Sequence, residues 1–318
     1  MADSEDVAAP PIAAVQELAL EGGAVVGTTT GIPPRTFGQR ARRVVVYVLM
    51  ISLALLYLVP FVYSVSTSLK TQAEAAAGFD LWPSEATLAA YREIWSREDL
   101  SFVTFFKNSL IVSASITVIT LFLATLGGYA FARLRFPFRE PLFLLVLGTL
   151  MIPDQLRLVP MYLMMIDFPL TGWNLTQTLH GYVFFGSSIA LATSLFLMRQ
   201  YFLTIPRDYE EAAKLDGAGY FKTYWRIMLP LAAPAVAAVA ILTFQGIWNE
   251  FFWANLLLTG DSSNYTVQMG LVQFRFQYQT LWPQLMAAAT IAIIPVLVVY
   301  VFFQRYFVAG VTAAGVKG

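Results

Sequence analysis

The chain has 318 residues, 58% hydrophobic and 13% charged, with 20 basic and 20 acidic side chains cancelling to zero net charge, and its mean hydropathy is +0.63. A soluble domain carries about 25% charged residues, so this composition excludes an ordinary soluble globule, and the charge balance gives nucleic acid nothing to bind. The absence of cysteine excludes disulfides, thiolate nucleophiles and thiolate metal sites, and one histidine, His180, leaves no histidine-based metal centre.

Residues 1–40 are rich in Ala, Gly, Pro and Thr and carry acids such as Asp3, Glu5 and Asp6. They lack the basic start and apolar core of a secretory signal and are expected to form a disordered cytoplasmic tail. Residues 41–318 read as one all-α polytopic membrane domain. A spanning helix needs about 20 mostly apolar residues, and six stretches qualify: Val44–Ser66, Ser109–Ala132, Pro141–Tyr162, Leu175–Met198, Leu229–Leu257 and Leu285–Phe303. Prolines 60, 153, 160, 234 and 295 lie in or near them, where neighbouring helices can satisfy the freed backbone groups. Of the 20 Lys and Arg residues, 14 fall on one side of these crossings. The basic bias marks that side as cytoplasmic and puts both termini there.

Two outer loops are substantial. Within residues 67–107, Leu88, Tyr91 and Trp95 recur at helical spacing, which predicts an amphipathic helix lying along the outer interface. Residues 258–284 carry a turn-rich tip at Thr259–Asn264. Trp82, Trp95, Trp173 and Trp282 suit an interfacial aromatic belt. The Phe-rich runs of the last three spans read as packing surface.

Between spans four and five lies a polar island, Asp208-Tyr-Glu-Glu-Ala-Ala-Lys-Leu-Asp-Gly217, within the loop 206–230. Asp208 follows Pro206 and precedes Glu211 by three, an Asp version of the capping box. Glu210 and Glu211 suit the positive end of the helix dipole. Ala212 and Ala213 favour helix, and Gly217 is placed to end it in a left-handed conformation. These residues predict a capped helix of about two turns, facing water. It could be a plain connector or a docking element.

Charges at membrane depth cost about 2.5–3.5 kcal/mol each on insertion scales, so they face a bundle interior or a wet cavity. Asp154 and Arg157 share a helix face after Pro153, and either pair with each other or line a solute path. Asn249 and Glu250 beside Trp248 can bond a polar solute while the ring meets its apolar face, or they bond between helices. Gln155, Tyr162 and Asn174 are weaker candidates of the same kind. There is no Gly-x-x-x-x-Gly-Lys-Ser/Thr phosphate loop, no His-Glu-x-x-His and no catalytic triad.

The run Glu211-Ala-Ala213, then Gly217, Ile227 and Leu229-Pro230 resembles the signature loop of ABC importer permease subunits, with its spacing intact. Lys107-Asn-Ser109, Gly128–Leu134, Met151–Gln155 with Pro160, and Trp248–Phe252 are similar to the carbohydrate branch, specifically the maltose-permease-like second membrane subunit. The ending Gly310–Gly318 is similar too, although its Gly and Ala order departs after Thr312. The resemblance covers residues 40–318. It implies a binding-protein-dependent importer of a sugar or oligosaccharide in the bacterial inner membrane, with no cofactor of its own. The island becomes a coupling helix, in which Glu210, Glu211, Ala212, Ala213, Asp216 and Gly217 meet a cytoplasmic ATPase and the two alanines allow close approach. Asp154, Gln155, Arg157, Trp248, Asn249 and Glu250 become candidates for the solute path. The implied partners are a second permease subunit, paired ATPase subunits and an extracytoplasmic solute-binding protein. The same architecture importing glycerol phosphate or a related polyol is an alternative. An ion-coupled secondary transporter using Asp154 and Glu250 is another.

Overall fold

The structure is a computed structural model. It describes the backbone of residues 37–97, 101–169, 171–275 and 280–315, and their side chains except those of residues 37–41, 154–155 and 306–315. The expected N-terminal tail therefore lies outside the described residues, apart from residues 37–40 of the first helix, and so do the side chains of the C-terminal ending. By their contacts residues 1–57 and 58–318 form two units, and the packing described below is that of the second.

The described chain is helical. In order, the helices are α1 (Phe37–Ser68), α2 (Gln72–Ala77), α3 (Ala89–Ser96), α4 (Phe102–Arg133), α5 (Arg139–Leu150), α6 (Asp154–Ile166), α7 (Leu179–Thr204), α8 (Asp208–Leu215) and α9 (Tyr220–Thr223). A π-helical turn, Tyr224–Met228, leads into α10 (Leu229–Leu231) and α11 (Ala233–Trp248), followed by α12 (Phe252–Leu258), α13 (Val267–Gln273) and α14 (Trp282–Gly315). No strand forms among the described residues.

Four stretches are long and apolar enough to cross a membrane: Arg42–Ser68, Phe102–Arg133, Leu179–Thr204 and Trp282–Arg305. Tyr220–Leu231 and Ala233–Trp248 make a fifth if this pair, bent by 75°, is one span. The expected third span is not one continuous helix. It breaks at Met151–Pro153 into α5 and α6, because proline supplies no N–H to carry the ladder on. The Met151 N–H turns back to Gly148 O at 3.2 Å instead. The expected fifth span is likewise interrupted, at Ala232 and again at Asn249–Phe251.

The most extensive helix pair is α4 with α7. Its closeness depends on Gly128, where an added Cβ would come within 2.7 Å of Met198 Cβ and 2.9 Å of the Arg199 backbone nitrogen. One apolar cluster, including Tyr129, Met198, Phe202, Tyr224 and Met228, sits where α4 and α7 end. A second gathers Phe102, Phe105, Trp248 and Phe274, and a third Ile116, Tyr182, Phe185 and Trp253.

The outer amphipathic helix exists as α3, but it packs by another face. Ala90 and Ile94 are buried in the second cluster, while Leu88 and Trp95 are exposed. Tyr91 shares a 2.8 Å hydrogen bond with Ser68. The face carrying Ala90 and Ile94 packs on the chain, which leaves Leu88 and Trp95, two of the residues expected at the outer interface, turned away from that packing. The loop after α12 is pinned from α4: Asn108 donates to Ser263 O and Tyr265 O at 2.7 and 3.0 Å, and Ser109 Oγ accepts from the Val267 N–H at 2.8 Å. At its tip the Ser263 hydroxyl and backbone N–H hold the Asp261 carboxyl below its ordinary range.

Candidate functional site

The polar island folds as expected in outline and differs at its start. Arg207, not Asp208, is the cap, already in a helical conformation and without a side-chain capping bond. Its carbonyl accepts from the Glu210 and Glu211 N–H groups at 2.9 and 3.1 Å, so the backbone opens the helix and Asp208 is its first residue. Asp208, Glu210 and Glu211 still occupy the first turn, where acids complement the dipole. The end is a Schellman closure: Ala218 N–H donates to Ala213 O at 2.9 Å and Gly217 N–H to Lys214 O at 3.0 Å. Gly217 has φ of +74°, and open space surrounds the place a Cβ would take. Glycine is needed there for its backbone, not for room.

The two faces of α8 differ. Ala213 is buried against its own chain, so it gives no close approach to a partner, contrary to the expectation for both alanines. Glu210 also turns inward. One carboxylate oxygen lies 3.8 Å from Arg133 Nε, and the two side chains are 13% and 3% exposed. The Arg133 guanidinium donates to Phe202 O and Ile205 O as well. The last residue of α4 thereby holds both the end of α7 and the base of α8. The outward face carries Glu211, Ala212, Asp216 and Gly217, together with Leu215, which is 90% exposed. A cavity of about 270 Å³ lies behind the helix, lined by Tyr129, Arg133, Glu210, Lys214, Tyr220 and Thr223 among others. Beyond it Tyr224 shares a 2.9 Å hydrogen bond with Thr125 of α4, both residues being buried.

Sequence reasoning missed Leu215 and Arg133. Leu215 follows the buried Ala213 by two positions, which puts it on the other side of the helix, and that offset was the available signal. Arg133 ends an apolar run and reads as an orientation marker, since nothing local reveals the carbonyls it reaches.

The solute-path candidates divide. Arg157 lines a cavity of about 440 Å³ with Thr149, Pro153, Met161, Ser188 and Thr193. The side chains of Asp154 and Gln155 lie outside the described residues. Trp248 is 1% exposed, stacked on Phe244 and edge-on to Phe106, and its indole N–H donates to Ala292 O at 3.0 Å. It presents no ring face to a sugar. Glu250 caps α12: it accepts from the Trp253 and Ala254 N–H groups and from the Tyr182 hydroxyl, each at 2.8 Å. Asn249 is exposed, with Gln268 donating to its Oδ1 at 3.4 Å. The lining of the Arg157 cavity includes none of Trp248, Asn249 or Glu250. His180 is exposed, and among the described residues no group of three or more His, Cys, Asp or Glu could hold a metal.

Several long apolar helices, with a short polar helix exposed between two of the apolar segments, define a polytopic membrane protein. Residues 124–313, which contain α8, match the family described as binding-protein-dependent transport system inner membrane component, and the chain belongs to that family. It is 34% identical over 280 residues to the trehalose/maltose transport system permease protein MalG of Thermococcus litoralis, covering 87% of this chain and 98% of that one. It is 32% identical over 279 residues to the arabinooligosaccharides transport system permease protein AraQ of Bacillus subtilis, covering 87% and 96%. In fold it is similar to a chain of a bacterial ABC transporter involved in the import of the acidic polysaccharide alginate, with TM-score 0.74, 26% identity and coverage of 86% and 99%.

Proposed function

We propose that the chain is the membrane-spanning subunit of an ABC importer that carries a sugar or oligosaccharide into the cytoplasm, driven by ATP hydrolysed on a separate subunit. The observation that carries this reading is α8, a pre-closed helix whose outward face ends in an exposed leucine and a left-handed glycine. Such a surface is costly in water and suits a cleft on a partner. The contact set is Glu211, Ala212, Leu215, Asp216 and Gly217, with Glu210 and Ala213 holding the helix to its own chain. Glu211 supplies charge-assisted bonds to basic groups on the ATPase.

In this reading the chain crosses the bacterial inner membrane six times with both termini inside. The α5–α6 pair makes the third crossing and α11 the fifth. A second permease subunit, a pair of ATPase subunits and an extracytoplasmic solute-binding protein complete the assembly, and the family's description supports the last of these. The saccharides named for the three similar proteins support a saccharide here. The solute path draws on the guanidinium and hydroxyls of the Arg157 cavity and on Asn249 with Gln268. Trp248 and Glu250 act as struts beside it.

The experiment is reconstitution of the assembled importer with its binding protein. Glu211→Lys is expected to leave the chain in the membrane while ATP hydrolysis loses its dependence on solute. Normal ATPase association and uptake by that variant, or ion-driven uptake by this chain alone, would overturn the reading.

A further inference from the structure

The stretch between α8 and α11 has a surface that ATPase docking at α8 does not use. From Tyr220 to Leu231 the chain is helical and bent 75° from α11. Its two faces differ from Phe221 onward, while Tyr220, one turn before the buried Tyr224, is itself 62% exposed. Thr223, Tyr224 and Met228 are buried, with Tyr224 and Met228 in the cluster where α4 and α7 end. Phe221 and Trp225, four residues apart, are 72% and 53% exposed. Lys222 and Arg226, also four apart, are exposed beside them. The side chains of Lys222 and Arg226 make no hydrogen bond or ion pair among the described residues. No acidic residue occurs between Asp216 and Glu250.

We infer that this limb lies in the headgroup layer of the cytoplasmic leaflet, binding anionic phospholipid. Phe221 and Trp225 sit at the acyl boundary, and Lys222 and Arg226 hold lipid phosphates. Three features on the molecule argue for lipid as the occupant. A limb bent 75° from a helix that crosses the bilayer runs close to the membrane plane and meets that helix at the membrane surface. Aromatic rings interleaved with cationic side chains on one exposed face are the composition of an interfacial helix. Two cations with no acid among them are complementary to an anionic leaflet and not to the strongly basic sites that would receive Glu211. From the end of the limb onward the first exposed side chains are apolar, at Leu231 and then Leu242, before the exposed Gln245. Lipid bound here fixes the height of the limb, and through Gly219 and Gly217 the height of α8, so anionic lipid supports coupling.

This inference rests on the proposed cytoplasmic placement of α8. The chain contains no cysteine, so a single Trp225→Cys can carry a fluorescent label in the whole importer built from cysteine-free partners. The importer is placed in nanodiscs of three parts phosphatidylcholine to one part phosphatidylglycerol. Nitroxide on the lipid headgroup is expected to quench the label strongly. Quenching by aqueous iodide alone means the face is in water, and quenching by neither means a protein covers it. Either result overturns the inference. In a second arm, replacing phosphatidylglycerol by phosphatidylcholine is expected to lower solute-stimulated ATP hydrolysis several-fold in the unaltered importer. The Lys222→Gln/Arg226→Gln variant, assembled in the same amount, is expected to have lost most of that dependence, and undiminished dependence overturns the inference. Labelling of Asp216→Cys in intact cells separates this failure from that of the placement. Access from outside the cell would refute the cytoplasmic placement even where the lipid contact is found.

Discussion

Leu215 and Gly217 are adjacent to the same turn and fail in different ways when changed. Leu215 touches almost nothing in its own chain, so truncating it leaves stability alone and, where α8 docks as proposed, acts on that docking. Burial of a leucine stabilises an interface by about 1.5–3 kcal/mol, which is about a tenfold to hundredfold in affinity. Leu215→Ala is therefore expected to weaken ATPase association by that factor with an unchanged thermal midpoint, measured by titrating the ATPase onto the permease pair in detergent. At Gly217 the space is open and only the left-handed backbone is special. A branched side chain there costs about 1–2 kcal/mol, while Asn tolerates the conformation. Gly217→Val is expected to raise the ATP hydrolysed per solute carried well above that of Gly217→Asn, and equal values would show that the turn's backbone is irrelevant. Gly217 was legible in the sequence because glycine after a short helix has a local meaning. Arg133 was not, because the carbonyls it binds lie 69 and 72 residues away.

Helices were legible where apolar runs are long, and their breaks and packed faces were less so. The sequence places polar residues at 249 and 250 without saying whether they face a solute or a helix end. The structure commits Glu250 to the first turn of α12 and to Tyr182. Losing a helix cap costs about 0.5–2 kcal/mol, and about 2–4 °C of thermal midpoint follows each kcal/mol in a domain of this size. Glu250→Ala is expected to lower the midpoint by several degrees and Tyr182→Phe by less, with the solute concentration for half-maximal uptake unchanged in both. A large change in that concentration without loss of stability would return Glu250 to the solute path. The α4–α7 pair offers a second test. Gly128→Val puts methyl groups against the Met198 and Arg199 backbone, and overpacking of this kind costs about 1–3 kcal/mol. Thermal scanning of the purified chain is expected to show that loss, whereas Gly148→Val, where a Cβ meets nothing within 4 Å, is expected to show little.

At the scale of the whole molecule, hydropathy counts crossings well only when each crossing is one helix. Pro153 divides α5 from α6, and Ala232 and Asn249–Phe251 divide the expected fifth crossing into pieces too short to register as spans by length. The basic bias is independent of those breaks, because Arg133, Arg139, Arg199 and Arg207 flank the runs whichever way they are segmented. It predicts that α8 and the tip after α12 face opposite sides, since α11 and α12 lie between them. Single-cysteine versions Asp216→Cys and Ser262→Cys test this directly, both positions being exposed. In intact cells a membrane-impermeant maleimide is expected to label Ser262→Cys and to reach Asp216→Cys only after the membrane is opened. Labelling of both from outside would mean that the bent pair Tyr220–Leu231 and Ala233–Trp248 re-enters instead of crossing. The polar helix would then lie on the same side as the tip, where no cytoplasmic ATPase could drive it.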